Sequence, residues 1–321
     1  MPLRIGFQVW GQHVAWGELM AEARSIEQAG FASLWSNDHF WPAAGAAAPS
    51  PGGVRGGFLE GWITLAGFAS VTRRIPLGIL VSCAGYRNVG LLVKQATALD
   101  HMSGGRMTLG LGAGWHEREH RAFGFEFPPI GDRISRMEEQ ASVIRPLLAG
   151  ETVTRRGRWV SLDGARNEPG PVGPLPLLMA GSGEQRTIPA VARYADAWNG
   201  EGDPPSYRRR NALLSEHCAA LGRDPASVVR TVGLPPMCIR DTRAEAVGVM
   251  AGILERNALR PEEARAMADA SPLVGTEARI LGALDAWAGA GAAEAIIDRP
   301  APFDDESLRR LAAACALPGS T

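Results

Sequence analysis

Short apolar runs of strand character alternate with helical periods along most of this 321-residue chain, and that alternation limits the folds open to it. Residues 4–10 alternate like a strand, and residues 16–29 follow as a helix, with Leu19, Ala23 and Ile26 at helical spacing and Gly30 as the stop. The same grammar predicts strands at 33–36, 75–82 and 107–112, with helices at 62–71 and 91–102 between them. The clearest helix carries Ile134, Met137, Ala141, Ile144 and Leu148 on one face before Gly150. Further strands are predicted at 177–180, 197–199, 228–239 and 295–297, with helices at 185–194, 206–221, 243–256, 262–269, 277–290 and 304–314. Eight strands in alternation with helices imply a parallel sheet, and their number favours a closed (β/α)8 TIM barrel over an open doubly wound sheet. The expectation is a single barrel domain over residues 1–321.

Two stretches break the rhythm. Residues 151–176 hold two short alternating arms, 152–154 and 158–160, around Gly157, and then prolines and glycines, which reads as a hairpin and loop inserted in the barrel. Residues 42–57, rich in Ala, Gly and Pro, are long enough to form a lid.

Charge and cysteine usage exclude several functions. Lys and Arg total 33 against 34 Asp and Glu, a net of -1, so neither nucleic acid nor an anionic membrane is an expected partner. The cysteines Cys83, Cys218, Cys238 and Cys315 form no C-x-x-C pair and read as free thiols of a reducing compartment. The N-terminus lacks the pattern of a secretory signal, and no apolar stretch approaches the roughly 20 residues of a membrane-spanning helix, so a soluble cytoplasmic protein is expected.

In a barrel of this kind chemistry sits at the carboxyl ends of the strands. The residues so placed are Trp10, Gly11 and Gln12; Asn37, Asp38 and His39; Ser82 and Cys83; Gly112 to His116; Gly181, Ser182 and Gly183; Asn199; and Asp298. Asp38 and His39, flanked by Phe40 and Trp41, pair an acid with a group that titrates near neutrality. Gly181-Ser182-Gly183-Glu184, between a strand and a helix, offers backbone amides and a positive helix end to a phosphate, with Arg186 nearby, and suits an ordinary turn equally well. His116-Glu117-Arg118-Glu119-His120 satisfies two zinc-peptidase patterns, but it follows a glycine-rich strand exit on a helix of at most two turns, and a solvated loop helix explains it more simply. Gly110-x-Gly112-x-Gly114, with Asp132 downstream, has the wrong spacing for a dinucleotide fingerprint. Its glycines read as the means by which a strand ends close to a flat ligand.

With these residues in place the chain resembles the bacterial luciferase-like superfamily, and in particular its oxidoreductases that use the deazaflavin coenzyme F420. The resemblance runs from Ile5 to Asn199. It rests on Gly30-Phe31-x-Ser33-Leu34-Trp35-Ser36-Asn37-Asp38-His39, on Tyr86-Arg87-Asn88, and on Lys94-x-x-Thr97-x-Leu99-Asp100-x-x-Ser103-x-Gly105-Arg106. Leu109 to Trp115, Gly181 to Glu184 and Arg193 to Asn199 complete it.

The resemblance implies that Asp38 and His39 lie against the coenzyme ring. It implies that Ser82-Cys83 is a strand-end bulge behind that ring, where the family commonly has a non-proline cis peptide. By the same resemblance Asn88 contacts the ring or tail, Gly114 leaves room beside it, and Gly181, Ser182 and Gly183 cradle the phosphate. His39 ranks first as the proton donor to substrate, before Glu117 and His116, with Glu117 also readable as a solvated charge. Val89 and His116 stand where the family often has Pro and Asn.

The function so implied is hydride transfer between F420 and a small organic substrate, in a homodimer served by a separate reductase. The alternatives are an FMN-dependent monooxygenase of the same superfamily, fed by a flavin reductase, and a non-catalytic flavin-binding barrel.

Overall fold

The computed structural model describes residues 3–42 and 57–317. In chain order these form β1 (Arg4–Val9), α1 (Trp16–Gln28), β2 (Leu34–Ser36), α2 (Gly61–Val71), β3 (Leu77–Cys83), α3 (Val89–Ser103), β4 (Met107–Gly112), α4 (Glu117–Ala122) and α5 (Ile130–Leu148). Then come β5 (Val153–Arg156), β6 (Ser161–Ala165), β7 (Leu177–Ala180), α6 (Thr187–Tyr194), β8 (Ala197–Gly200), α7 (Pro204–Ala220), β9 (Val229–Leu234) and β10 (Cys238–Ile239). The last are α8 (Arg243–Arg256), α9 (Pro261–Ala270), β11 (Val274–Gly275), α10 (Glu277–Gly289), β12 (Glu294–Arg299) and α11 (Asp305–Ala314).

Eight strands close into a barrel in the order β1-β12-β9-β8-β7-β4-β3-β2, which bears out the expected (β/α)8 architecture. The strand predicted over 228–239 is two strands. Pro235 and Pro236 cannot donate to a ladder, so β9 stops at Leu234, and β10 pairs instead with β11, Cys238 opposite Val274. The inserted hairpin is present as antiparallel β5 and β6, with both arms later in the chain than the predicted ones. Of the expected lid, residues 43–56 lie outside the described residues. No helix among the described residues is long and apolar enough to cross a membrane.

The chain divides into two compact units, Met1–Ile75 with Val232–Thr321, and Pro76–Thr231. In the first, β1 runs parallel to β12 from Arg4 opposite Glu294 to Val9 opposite Arg299. Phe7 packs edge to face on Phe31, ring centroids 4.8 Å apart. Gly6 is glycine because a Cβ there would lie 2.0 Å from Ser33 Oγ, which bonds Glu294 and accepts from the Trp35 indole at 2.6 Å. Glu22 of α1 forms a buried ion pair with Arg299.

In the second unit β3, β4, β7 and β8 are parallel neighbours. Leu109, Leu111, Leu177 and Met179 are fully buried, and Trp198 stacks on Tyr207 at 4.9 Å. The Thr97-to-Arg106 motif serves the fold. Asp100 Oδ2 accepts from the amides of Val172 and Gly173, 2.8 Å each, and Thr97 Oγ1 accepts from Asn167 at 2.9 Å, so α3 pins the loop that follows the hairpin.

Candidate active site

Asp38 and His39 follow β2 in the first unit. Asp38 is buried and His39 half-buried, its ring edge-on to Phe58 at 6.1 Å. The start of α2 holds this exit: Ser36 Oγ donates to the Gly61 carbonyl at 2.8 Å, and a Cβ on Gly61 would stand 2.0 Å from the Asn37 carbonyl oxygen. From β12, Asp298 accepts a 3.3 Å hydrogen bond from the Trp10 indole. Burial, working against that bond and the charge of His39, pushes its carboxyl up to about 7.

In the second unit the carboxyl end of β3 is irregular, as expected, but the irregularity lies earlier than Ser82-Cys83. The cis peptide joins Leu80 and Val81, and the ladder to β4 shifts register between Ile79 and Ser82. β4 makes room for it. A Cβ on Gly110 would lie 2.0 Å from the Ile79 carbonyl oxygen, and one on Gly112 would lie 2.5 Å from Val81 Cγ2. These glycines therefore admit the neighbouring strand, where the sequence suggested a flat ligand. Gly114, at φ +81°, belongs to the same device: a Cβ there would meet Cys83 Sγ at 2.5 Å, so the missing side chain lets the sulfur approach the turn. Ser82 is fully buried.

The zinc-like motif folds as the expected short helix, α4, but it is not the solvated one expected: His116, Glu119 and His120 are buried in one network. Tyr86 donates to Glu119 Oε1 at 2.5 Å, and His116 Nδ1 lies 3.1 Å from Glu119 Oε2. His120 Nδ1 donates to the His116 carbonyl at 2.9 Å, a bond that fixes the tautomer and turns Nε2 toward Cys83 Sγ, 3.6 Å away. Burial holds the His120 pKa below its usual value. Both ring nitrogens of His120 thus have protein partners.

Glu117 is not part of this group. It is half exposed and ion-paired with Arg121 at 2.6 Å, and the buried acid of the motif is Glu119. Asn88 is exposed and caps α3, its Oδ1 accepting from the Gly90 amide at 2.8 Å, which leaves its amide nitrogen to reach a ligand. Asp132 is held by Arg158 through two bonds of 2.9 and 3.0 Å.

Two residues escaped the sequence reading. Gln140 of α5 donates to the carbonyls of Ala84 and Arg87 at 2.9 and 3.2 Å, steadying the turn after β3. Arg133 donates to the Gly114 carbonyl and lies 4.0 Å over the Phe127 ring. The signal for Gln140 was present: it lies beside Ala141 and three residues from Met137, an amide on the buried face of a helix.

The turn between β7 and α6 fits a phosphate. Ser182 Oγ is buried without a hydrogen-bond partner among the described residues, an arrangement that costs free energy unless a ligand or water supplies one. Gly181 sits at φ +134°, and a Cβ on either Gly181 or Gly183 would come within 2.9 Å of Thr187. Arg186 is not available as expected. It donates to Gly131 and Ser135 and is ion-paired with Glu138.

The sequence profile of the luciferase-like monooxygenase family matches residues 4–301. The chain belongs to that family. Among curated members, this luciferase-like protein is 29% identical over 291 residues to an F420-dependent hydroxymycolic acid dehydrogenase of Mycobacterium tuberculosis (strain ATCC 25618 / H37Rv), a match covering 89% of this chain and 78% of that one. It is 27% identical over 312 residues to an F420-dependent glucose-6-phosphate dehydrogenase of Kineococcus radiotolerans, covering 92% and 88%. Among solved structures, an F420-dependent secondary alcohol dehydrogenase in complex with an F420-acetone adduct superposes with a TM-score of 0.81 at 19% identity over the whole of both chains, which shows a shared fold.

Proposed function

We propose that this protein is an oxidoreductase that transfers a hydride between coenzyme F420 and a small organic substrate. The observation that carries the reading is the orphaned Ser182 hydroxyl in a two-glycine turn at a barrel strand exit, in a chain whose curated relatives include F420-dependent dehydrogenases. Bound F420 supplies the hydride-exchanging carbon, and the protein orients it, excludes water and moves a proton.

The residues assigned to the coenzyme are Asp38 and His39 in the first unit. In the second they are Ser82, Cys83, Asn88 and Gly114, with Gly181, Ser182 and Gly183 for the phosphate. Gly114 acts by letting Cys83 close on the turn. His39, half-buried and therefore reachable, is the group assigned to exchange a proton with the substrate oxygen. A separate reductase that regenerates the reduced coenzyme, a homodimeric assembly and a cytoplasmic setting follow from the resemblance and complete the reading.

The test is to mix the protein with oxidised F420 and a panel of primary alcohols, secondary alcohols and sugar phosphates, and to follow the absorbance of the deazaflavin. Bleaching that needs both protein and one class of substrate is expected. Oxygen consumption with reduced FMN, and no bleaching of F420 by any member of the panel, would assign the protein to the monooxygenases instead.

A further inference from the structure

Hydride transfer uses Cys83 only as a contact for the coenzyme, but the surroundings of this residue are those of a nucleophile. Cys83, at the end of β3, and His120, on α4, are both buried, and the sulfur lies 3.6 Å from His120 Nε2. The proton on His120 Nδ1 goes to the His116 carbonyl at 2.9 Å, so Nε2 presents its lone pair to the thiol. The Gly85 amide donates to the same sulfur at 3.4 Å, a contact that favours negative charge there. A thiol, a base within reach of it, and a third group that orients the base together make an activated nucleophile.

The turn after β3 also has a place for a reacting carbon. Among the described residues, the nearest atoms to a Cβ built on Gly85 would be His120 Nε2 at 3.4 Å, Cys83 Sγ at 3.5 Å and His120 Cδ2 at 3.8 Å. These are ordinary van der Waals separations, so a carbon-sized space lies against the sulfur and the base together. Gly85 itself is partly exposed, which opens that space to a small molecule. The other cysteines have no such surroundings. Cys238 lies 3.5 Å from Asp304, and burial together with that charge pushes its thiol up to about 12. Cys218 is fully buried, and Cys315, half-buried, has its thiol pushed up by burial and by the charge of Glu277.

We propose that Cys83 and His120 form a covalent capture site for a small α,β-unsaturated carbonyl compound, whose β-carbon enters the space beside Gly85. The sulfur attacks that carbon, the thiol proton passes to His120 Nε2, and the π pair of the C=C bond moves toward the carbonyl oxygen. The imidazolium then returns the proton to the α-carbon. One S–H bond and one C=C π bond are lost, one C–S and one C–H bond are formed, and no leaving group or oxidant takes part. This class of electrophile fits because its carbon is soft, like sulfur, and because the base that takes the proton also gives it back. Burial and the Arg133 charge keep His120 neutral at rest, ready to accept, while the Glu119 carboxylate favours the imidazolium formed during the step. No step involves the coenzyme, so the proposal stands apart from the hydride-transfer reading.

The experiment treats the full-length, reduced, coenzyme-free protein with limiting acrylamide at neutral pH and follows labelling of each cysteine by peptide mass spectrometry. The urea-unfolded protein, in which all four thiols are accessible, is the control that each peptide is read. Cys83 is expected to label before Cys315, although Cys315 is the more exposed of the two. Labelling of Cys315 ahead of Cys83 overturns the proposal.

Gly85→Ala fills the space with a methyl group at separations the fold accepts, and the φ of Gly85 lies outside the left-handed region. It is expected to slow Cys83 labelling by about 10- to 100-fold with Tm unchanged. His120→Gln removes the base and is expected to slow labelling by about 100-fold. An unchanged Cys83 rate in Gly85→Ala, or in a folded His120→Gln, overturns the proposal. Should His120→Gln fail to fold, Gly85→Ala decides the matter alone, because it leaves thiol, base and amide donor in place and removes only the room for the electrophile.

Discussion

Val81 fills the space that a side chain on Gly112 would need, its Cγ2 standing 2.5 Å from where the Cβ would be. Gly110 is tighter still, because its missing Cβ would meet the backbone oxygen of Ile79 at 2.0 Å, and backbone cannot move aside as a side chain can. Gly110→Ala is therefore expected to destabilise the protein by about 3 kcal/mol in urea unfolding. Gly248→Ala, on α8 with nothing within 4 Å of its would-be Cβ, is expected to stabilise by ~0.5–1 kcal/mol. Equal effects of the two substitutions would contradict this account of the β3 and β4 exits.

Ser182 has a buried hydroxyl with no hydrogen-bond partner among the described residues. If it serves a phosphate, Ser182→Ala loses one hydrogen bond to the coenzyme and weakens F420 about 5- to 10-fold in a fluorescence titration, while protein stability stays level or rises. Weaker folding with unchanged coenzyme affinity would make the residue structural.

Glu27, at the end of α1, collects three backbone amides in its Oε1: Arg73 at 2.8 Å, Arg74 at 2.7 Å and Ile75 at 3.0 Å. Burial works against the carboxylate, but these bonds outweigh it and hold the pKa below the usual glutamate range. A carboxyl lowered on folding contributes stability that is complete above its unfolded pKa of about 4.3 and is lost as pH falls through the folded value. Glu27→Gln should therefore unfold at lower urea than wild type near neutral pH, and the two midpoints should converge in acid. A gap that persists in acid would assign the effect to packing.

The architecture was legible because apolar periodicity records which face each element buries. It located β4 at Met107–Gly112 and β7 at Leu177–Ala180 to the residue. It failed at 228–239, where Met237, Cys238 and Ile239 continue an apolar run but the two prolines before them end the ladder.

Spacing also cannot say what fills the room that a glycine leaves. Gly110 and Gly112 suggested a ligand, and a neighbouring strand occupies the space. Pattern matching could not tell that His120 turns its ring to Cys83 and to its own helix, because that depends on the packing of β3 against α4. The carboxyl of Asp298 was named for its place at a strand end, while its weak affinity for charge comes from burial, which no single sequence displays.

The most direct test of the central claim is a binding titration of the purified protein with oxidised F420 and, separately, with FMN. The account predicts saturable binding of F420 that Ser182→Ala weakens, and FMN binding weaker by at least about 10-fold, a difference of ~1.4 kcal/mol. Tight binding of FMN with no detectable binding of F420 would contradict it.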